Sequence, residues 1–372
     1  MEGRQFHYAY SAVTDIEEEN AMGIMEYLQK AVELNASDVF IVAGLPVSMR
    51  INGKIENLPG GMLRPEDTRL FVEEIYELAD NRSLEDFIQS GDDDFSFAVP
   101  GLSRFRVNAY KQRGALSAIV RVITFSLPDP HALGIPEKII GFSGLSKGLV
   151  LISGPAGSGK STTLACMIDH INRNFDKHII TLEDPLEFLH RHNRSIVSQR
   201  EINVDTESYV TALRASLRQS PDVILLGEMR DFETIQVAMT AAETGHLIFS
   251  TLHTIGAANT IDRIIDVFPP SQQRQIAVQL SMVLQAVVTQ QLVPSVDGGM
   301  VPAFEIMTVT PAIRNMIRDN KIPQIDGLLQ SSANDDLVSM DSWLLRLYRD
   351  GQISADTALA YAANGEMMRK KI

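Results

Sequence analysis

The segment Gly154-Pro155-Ala156-Gly157-Ser158-Gly159-Lys160-Ser161 sets three glycines, a lysine and two hydroxyls into eight residues. An apolar run, GLVLIS, leads into it, and a helical pattern follows with Leu164, Ile168 and Ile171 on one stripe. Strand before and helix after separate a P-loop from a chance glycine-rich turn. Glycines at this spacing let successive backbone N–H groups turn inward on phosphate oxygens, and the positive end of the following helix favours the same charge. Lys160 is expected at the β and γ phosphates, Ser161 at a magnesium ion, and Thr162 beside them. The ligand implied is ATP with Mg2+.

Hydrolysis also needs a group that orients the attacking water. Two carboxylate sites follow apolar runs: Glu183-Asp184-Pro185 with Glu187 after IITL, and Glu228 after VILLG. Just past the C-terminal edge of a parallel sheet is where open α/β folds bind ligands, so Glu228 and Glu183 are the candidate catalytic residues. A solvated loop glutamate is the plain alternative for Glu228, and Glu187 can be read either way. Where nucleotide hydrolases commonly carry a magnesium-holding Asp, before Glu228, this chain has Gly227. The metal then leans on Ser161, phosphates and water, which adds weight to Glu183. His246 and His253 fall in one stretch seven positions apart, on opposite faces of any continuous strand, so one shared metal site is not expected. His253 lies past the strand among hydroxyl residues, where it can sense a γ-phosphate; the alternative is a pair of structural histidines.

The elements that must position these groups are legible in outline. A length of 372 residues predicts two domains. The formal charge of -14 argues against a chain that wraps nucleic acid. Cys166 is the single cysteine, which excludes an internal disulfide or a cysteine-built zinc site and fits a reducing, cytoplasmic setting. No apolar run of about 18 residues is present, so no spanning helix is expected.

Residues 1–21 read as a polar leader without fixed structure. Residues 22–125 mix helix, hairpin and alternating strands: IMEYLQKAVEL, an Asn52-Gly53 turn signal, a helix near Pro65 to Ala79, then FSFAV, RFRVNAY and LSAIVRVI. This is an α+β module. Residues 126–136 carry three prolines in SLPDPHALGIP and read as a linker. Residues 137–372 begin as an α/β core, with GLVLIS, HIITL, DVILL and HLIFST as buried parallel strands between helices. They end in a helical region, 311–372, opened by PAIRNMI.

In combination these motifs resemble the secretion ATPases of type II secretion and type IV pili, and within them the PilT-like pilus-retraction motors. The P-loop, the acidic box Thr181–Phe188, the segment DVILLGEMRD with Gly before Glu, and the histidine box Gly245–Thr254 carry the resemblance, which covers about Met22 to Ile372. It implies a PAS-like first domain, a RecA-like ATPase domain and a homohexameric ring. Among Arg104, Arg106, Arg113 and Arg121, it singles out Arg106 and Arg121 as nucleotide-binding side chains; without it they are ordinary charges on a solvated strand face. PAIRNMI is similar to a box typical of retraction motors, with Met316 where Leu is usual; read alone, it is an amphipathic helix with Arg314 and Asn315 on its polar side. The chain departs from the family in its longer leader and in Phe40, where a histidine is common.

The function so implied is a hexameric motor that hydrolyses ATP to withdraw type IV pili. ATP is expected between the domains, and the load is expected to be an inner-membrane platform protein at the cytoplasmic face. The membrane is then met only through that partner, with no nucleic acid. The other readings are an accessory retraction paralogue, a RecA-like nucleic-acid translocase, and a regulator that binds ATP without turning it over. The acidic balance opposes the translocase, and intact Lys160, Ser161 and Glu228 oppose the regulator.

Overall fold

The computed structural model describes residues 22–51, 53–79, 82–123, 127–332 and 334–372. The leader, Asn52 of the turn signal, and the expected boundary between residues 125 and 126 lie outside the described residues. Contacts divide the chain into two compact units, Met1–Val122 and Ile123–Ile372.

The first unit opens with α1 (Ile24–Glu33), whose apolar residues recur at helical spacing so that Ile24, Tyr27, Leu28 and Ala31 are buried together. Then come β1 (Asp38–Ile41), β2 (Ser48–Ile51), β3 (Lys54–Asn57), α2 (Pro65–Leu78), α3 (Leu84–Ser90), β4 (Asp92–Val99), β5 (Ser103–Gln112) and β6 (Ala115–Ile123). Among the described residues these strands form one sheet in the order β3-β2-β1-β6-β5-β4. Alternation decides which face is core: Phe95, Phe97 and Val99 of β4 and Phe105, Val107 and Ala109 of β5 join Leu28, Val72 and Ile75 of the helices. Arg106, between two of those buried positions, is left on the other face.

In the second unit the order is α4 (Glu137–Gly141), β7 (Gly148–Ser153), α5 (Lys160–Asn174), β8 (His178–Glu183), β9 (Ile196–Glu201), α6 (Tyr209–Ser216), β10 (Val223–Leu226), α7 (Phe232–Glu243) and β11 (Leu247–Leu252). It continues as α8 (Ala257–Asp266), α9 (Pro270–Val283), β12 (Leu284–Pro294), β13 (Met300–Thr308), α10 (Pro311–Arg318), α11 (Pro323–Ser331), β14 (Leu337–Val338), α12 (Met340–Arg349), α13 (Ala355–Tyr361) and α14 (Gly365–Arg369). The sheet order is β14-β13-β12-β7-β11-β10-β8-β9. From β12 to β9 every pairing is parallel, and β13 and β14 add antiparallel strands at one edge.

The strands β7, β10 and β11 are buried at every residue. Helices cover both faces, which is why these strands read as unbroken apolar runs. Val150, Ile152 and Phe249 face Leu164, Met167 and Ile168 of α5, while Leu149, Leu151 and Ile248 face Ile235, Met239, Ile261 and Leu280 of α7 to α9.

The expected α/β core, smaller α+β unit and C-terminal helices are all present. The sheet is wider than the apolar runs foretold, because β9, β12 and β13 carry polar residues within their spans and β14 is only two residues long. In α10, Ile313 and Ile317 face the core as expected, and Arg314, on the polar side, is half-buried. Its guanidinium donates to the carbonyls of Ser281 at 2.6 Å and Met282 at 2.9 Å, at the end of α9. Among the described residues no helix is long and apolar enough to cross a membrane.

Candidate active site

The parallel strands deliver their C-terminal ends to one edge. Register keeps those ends level, pairing Leu182 with Leu226, Leu226 with Ser250 and Leu252 with Ser153. The residues that follow each strand therefore meet: the loop 154–159 after β7, Glu183 ending β8, Gly227 and Glu228 after β10, and His253 after β11. Ala156 to Gly159, Glu183, Gly227, Glu228 and His253 line one cavity of about 560 Å3 with Lys160, Ser161, Thr162, Glu187 and Tyr209.

The glycine-rich loop rests on β12. Gly154 has φ 141°, and a Cβ there would stand 2.1 Å from the Gln290 carbonyl oxygen, so no side chain fits. The Gln290 side chain locks the next turn by accepting from Thr163 Oγ1 at 2.7 Å, and the Ser153 and Thr289 hydroxyls meet at 2.8 Å. The loop ends at Gly159, in the left-handed region at φ 85°, with no side chain capping α5. First-turn amides of such a helix suit an anion, and the helix dipole adds to the attraction.

Lys160 is buried, and its ammonium donates to the carbonyls of Gly154 at 2.9 Å and Pro155 at 2.8 Å. Burial lowers its pKa, while the carboxylates of Glu187 and Glu228 act in the opposite sense. Glu228 is fixed at both oxygens, with Arg230 Nε at 2.7 Å from Oε1 and His253 Nε2 at 3.4 Å from Oε2. Its backbone root is pinned as well: the Thr251 hydroxyl donates to the Gly227 carbonyl at 2.5 Å, and the Gly227 amide to Leu182 O at 2.8 Å. Glu183 is different. Burial pushes its carboxyl up to about 7, opposed by a hydrogen bond from Gln199 and reinforced by Glu187 and Glu201.

Most residues singled out from the sequence meet here: Ala156 to Thr162, Glu183, Glu187, Glu228 and His253 all line the cavity. Gly154 and Pro155 form the turn beneath and hold the Lys160 ammonium. His246 sits at the far end of β11, its ring Nδ1 2.9 Å from Ala241 O, apart from the cavity. Arg106 and Arg121 belong to the first unit, where Arg106 forms a two-point pair with Asp94 and Arg121 pairs with Asp38 at 3.1 Å.

Sequence reasoning missed Tyr209 and Gln290, which no motif marks, and gave no role to Arg230, which lies within the DVILLGEMRD segment. It also missed a second cavity of about 380 Å3, which shares Gly159, Thr162 and Leu292 with the first and is walled by Leu133, Ile135 and Pro302. The proline-rich stretch read as a linker thus supplies one of its walls.

A family model described as type II/IV secretion system protein matches residues 17–310. The chain is 44% identical over 339 residues to the type IV pilus retraction ATPase PilT of Pseudomonas aeruginosa, covering 91% of this chain and 97% of that one. It is 40% identical over 349 residues to a twitching motility protein of Neisseria gonorrhoeae, covering 94% and 92%. Its fold is similar to a crystal structure of the pilus retraction motor PilT with bound ADP, at TM-score 0.86 and 43% identity, covering 94% of this chain and 100% of that one.

Proposed function

On the premise that this chain belongs to the type II/IV secretion system protein family, we propose that it is an ATP-hydrolysing motor that powers retraction of type IV pili. The observation that carries the enzymatic half is the meeting of a P-loop, Lys160 and Ser161 with the carboxylates of Glu183 and Glu228 in one cavity. The mechanical half rests on the pilus retraction ATPase and twitching motility protein among its relatives.

ATP places its phosphates on the loop 154–159 and the first turn of α5, and Lys160 exchanges its two carbonyl partners for phosphate oxygens. The adjoining apolar cavity takes the base, against Leu133, Ile135 and Pro302. Oxygen donors suit magnesium, which prefers water and phosphate ligands to a protein cage. Ser161 is the oxygen donor beside Lys160 in the cavity. Magnesium, held there by Ser161, would supply charge neutralisation at the phosphate oxygens. Glu228 orients the attacking water; Arg230 and His253 hold its carboxylate in place, so little reorganisation is needed when water is activated. His253, one contact from Glu228, reports the state of the terminal phosphate.

The motor works as a ring of six copies against a pilus platform protein at the cytoplasmic face of the inner membrane. The test uses cells whose only copy carries Lys160→Ala. Pili are expected to extend and never withdraw, and the purified variant to lose ATP turnover. Normal withdrawal with that variant overturns the reading.

A further inference from the structure

Gly227 follows β10 directly and precedes Glu228. Its backbone does not demand glycine, since it is not among the residues with positive φ. A Cβ added there would nevertheless meet the Tyr209 hydroxyl oxygen at 2.7 Å, whereas its next neighbours, Glu183 Cα and Leu182 O, stand at 3.4 Å. The phenol fills the space into which an Asp at this position would project its side chain.

Tyr209 is brought there by the start of α6. Ser208 caps that helix by accepting from the Thr211 amide at 3.2 Å, which fixes the first helical residue beside the end of β10. The Tyr209 ring is half-buried, and it lines the same cavity as Ser161, Glu183 and Glu228. Its hydroxyl has no hydrogen-bond partner among the described residues. Burial, then the carboxylates of Glu228, Asp184 and Glu183, raise its pKa, so the phenol is neutral at physiological pH. A neutral hydroxyl both accepts and donates. It also adds no charge to a wall that already carries Glu183, Asp184, Glu187 and Glu228, where one more carboxylate would be repelled.

We propose that Tyr209 is a positioning residue for the magnesium shell: its hydroxyl oxygen accepts from a metal-bound water and its proton goes to a carboxylate of Glu183 or Glu228. It thereby takes the part that a strand-end Asp plays in other P-loop hydrolases. This rests on the site being the magnesium–ATP site.

The test is Tyr209→Phe in the full chain, which removes one oxygen and keeps the ring. A fluorescent N-methylanthraniloyl-ADP is titrated first without metal and then against increasing MgCl2. Affinity without metal is expected to stay within about twofold of wild type, because the loop and Lys160 are untouched. The Mg2+ concentration at half-maximal effect is expected to rise about tenfold, as for loss of a group that orients a metal's own ligands. An unchanged Mg2+ midpoint overturns the proposal. So does an equal loss with and without metal, which would mark Tyr209 as packing only. A wild-type protein that binds no nucleotide at all would sink the functional reading itself, and the role of Tyr209 with it.

Discussion

Replacing Arg314 by methionine keeps most of the side chain's length and removes its charge. In the folded protein its guanidinium makes three contacts at the end of α9: Ser281 O at 2.6 Å, Met282 O at 2.9 Å and Gln285 Oε1 at 3.3 Å. The last four carbonyls of a helix have no partner within the helix, and Ser281 is buried, so water cannot substitute fully. A hydrogen bond from a charged donor is worth about 1.5–3 kcal/mol, and a cation at a helix C-terminus adds about 0.3–1 kcal/mol. These contacts share one group and do not add in full. The expected loss is therefore about 3 kcal/mol for Arg314→Met and roughly half of that for Arg314→Lys, which keeps the charge but loses the fork. Urea unfolding of the second unit, followed by circular dichroism, reads both values. A loss below about 0.5 kcal/mol for Arg314→Met, the range of an ordinary surface substitution, would refute the capping argument.

Two further perturbations follow from the site. Glu183→Gln should alter the pH dependence of stability: the carboxyl is raised from its ordinary 4.5 to about 7, so its contribution is fully present below 4.5 and lost as pH rises through 7. The variant should be close to wild type at pH 5 and gain on it at pH 8, by up to roughly 3 kcal/mol; melting curves with no such crossover would exclude the burial argument. Gly154→Ala forces a Cβ to 2.1 Å from the Gln290 carbonyl at φ 141°. Strain of about 1–3 kcal/mol from the backbone alone should weaken ATP binding about fivefold or more, and calorimetry that finds wild-type affinity would refute the close seat of the loop on β12.

What the sequence revealed and what it hid divide along physical lines. The P-loop is legible because its chemistry is local: glycines, lysine and hydroxyl act within a few residues of one another. Glu183 and Glu228 are legible because a parallel sheet sends every strand end to the same edge. The partner of Arg314 was not legible, because a periodicity argument sees only one helix, whereas the α9 terminus that needs its charge lies some thirty residues earlier. Tyr209 and Gln290 stayed hidden for a similar reason. Each acts through a neighbour supplied by another element, Gly227 for the first and the loop 154–159 for the second, and nothing in their own surroundings signals it. The strand β12 carries Thr289, Gln290 and Gln291 at buried positions, so its polar run gave no sign of a core strand. The second cavity depends on the proline-rich stretch folding against β12 and β13, which composition alone does not convey.

The central claim is that Glu228, clamped between Arg230 and His253, aims the water that cleaves ATP. Single-turnover hydrolysis by Glu228→Gln, alongside its ATP affinity, tests it most directly. Binding is expected to stay close to wild type with hydrolysis slowed by a factor on the order of 100 to 10,000, as for loss of a positioned general base. Hydrolysis at the wild-type rate with ATP bound would contradict it.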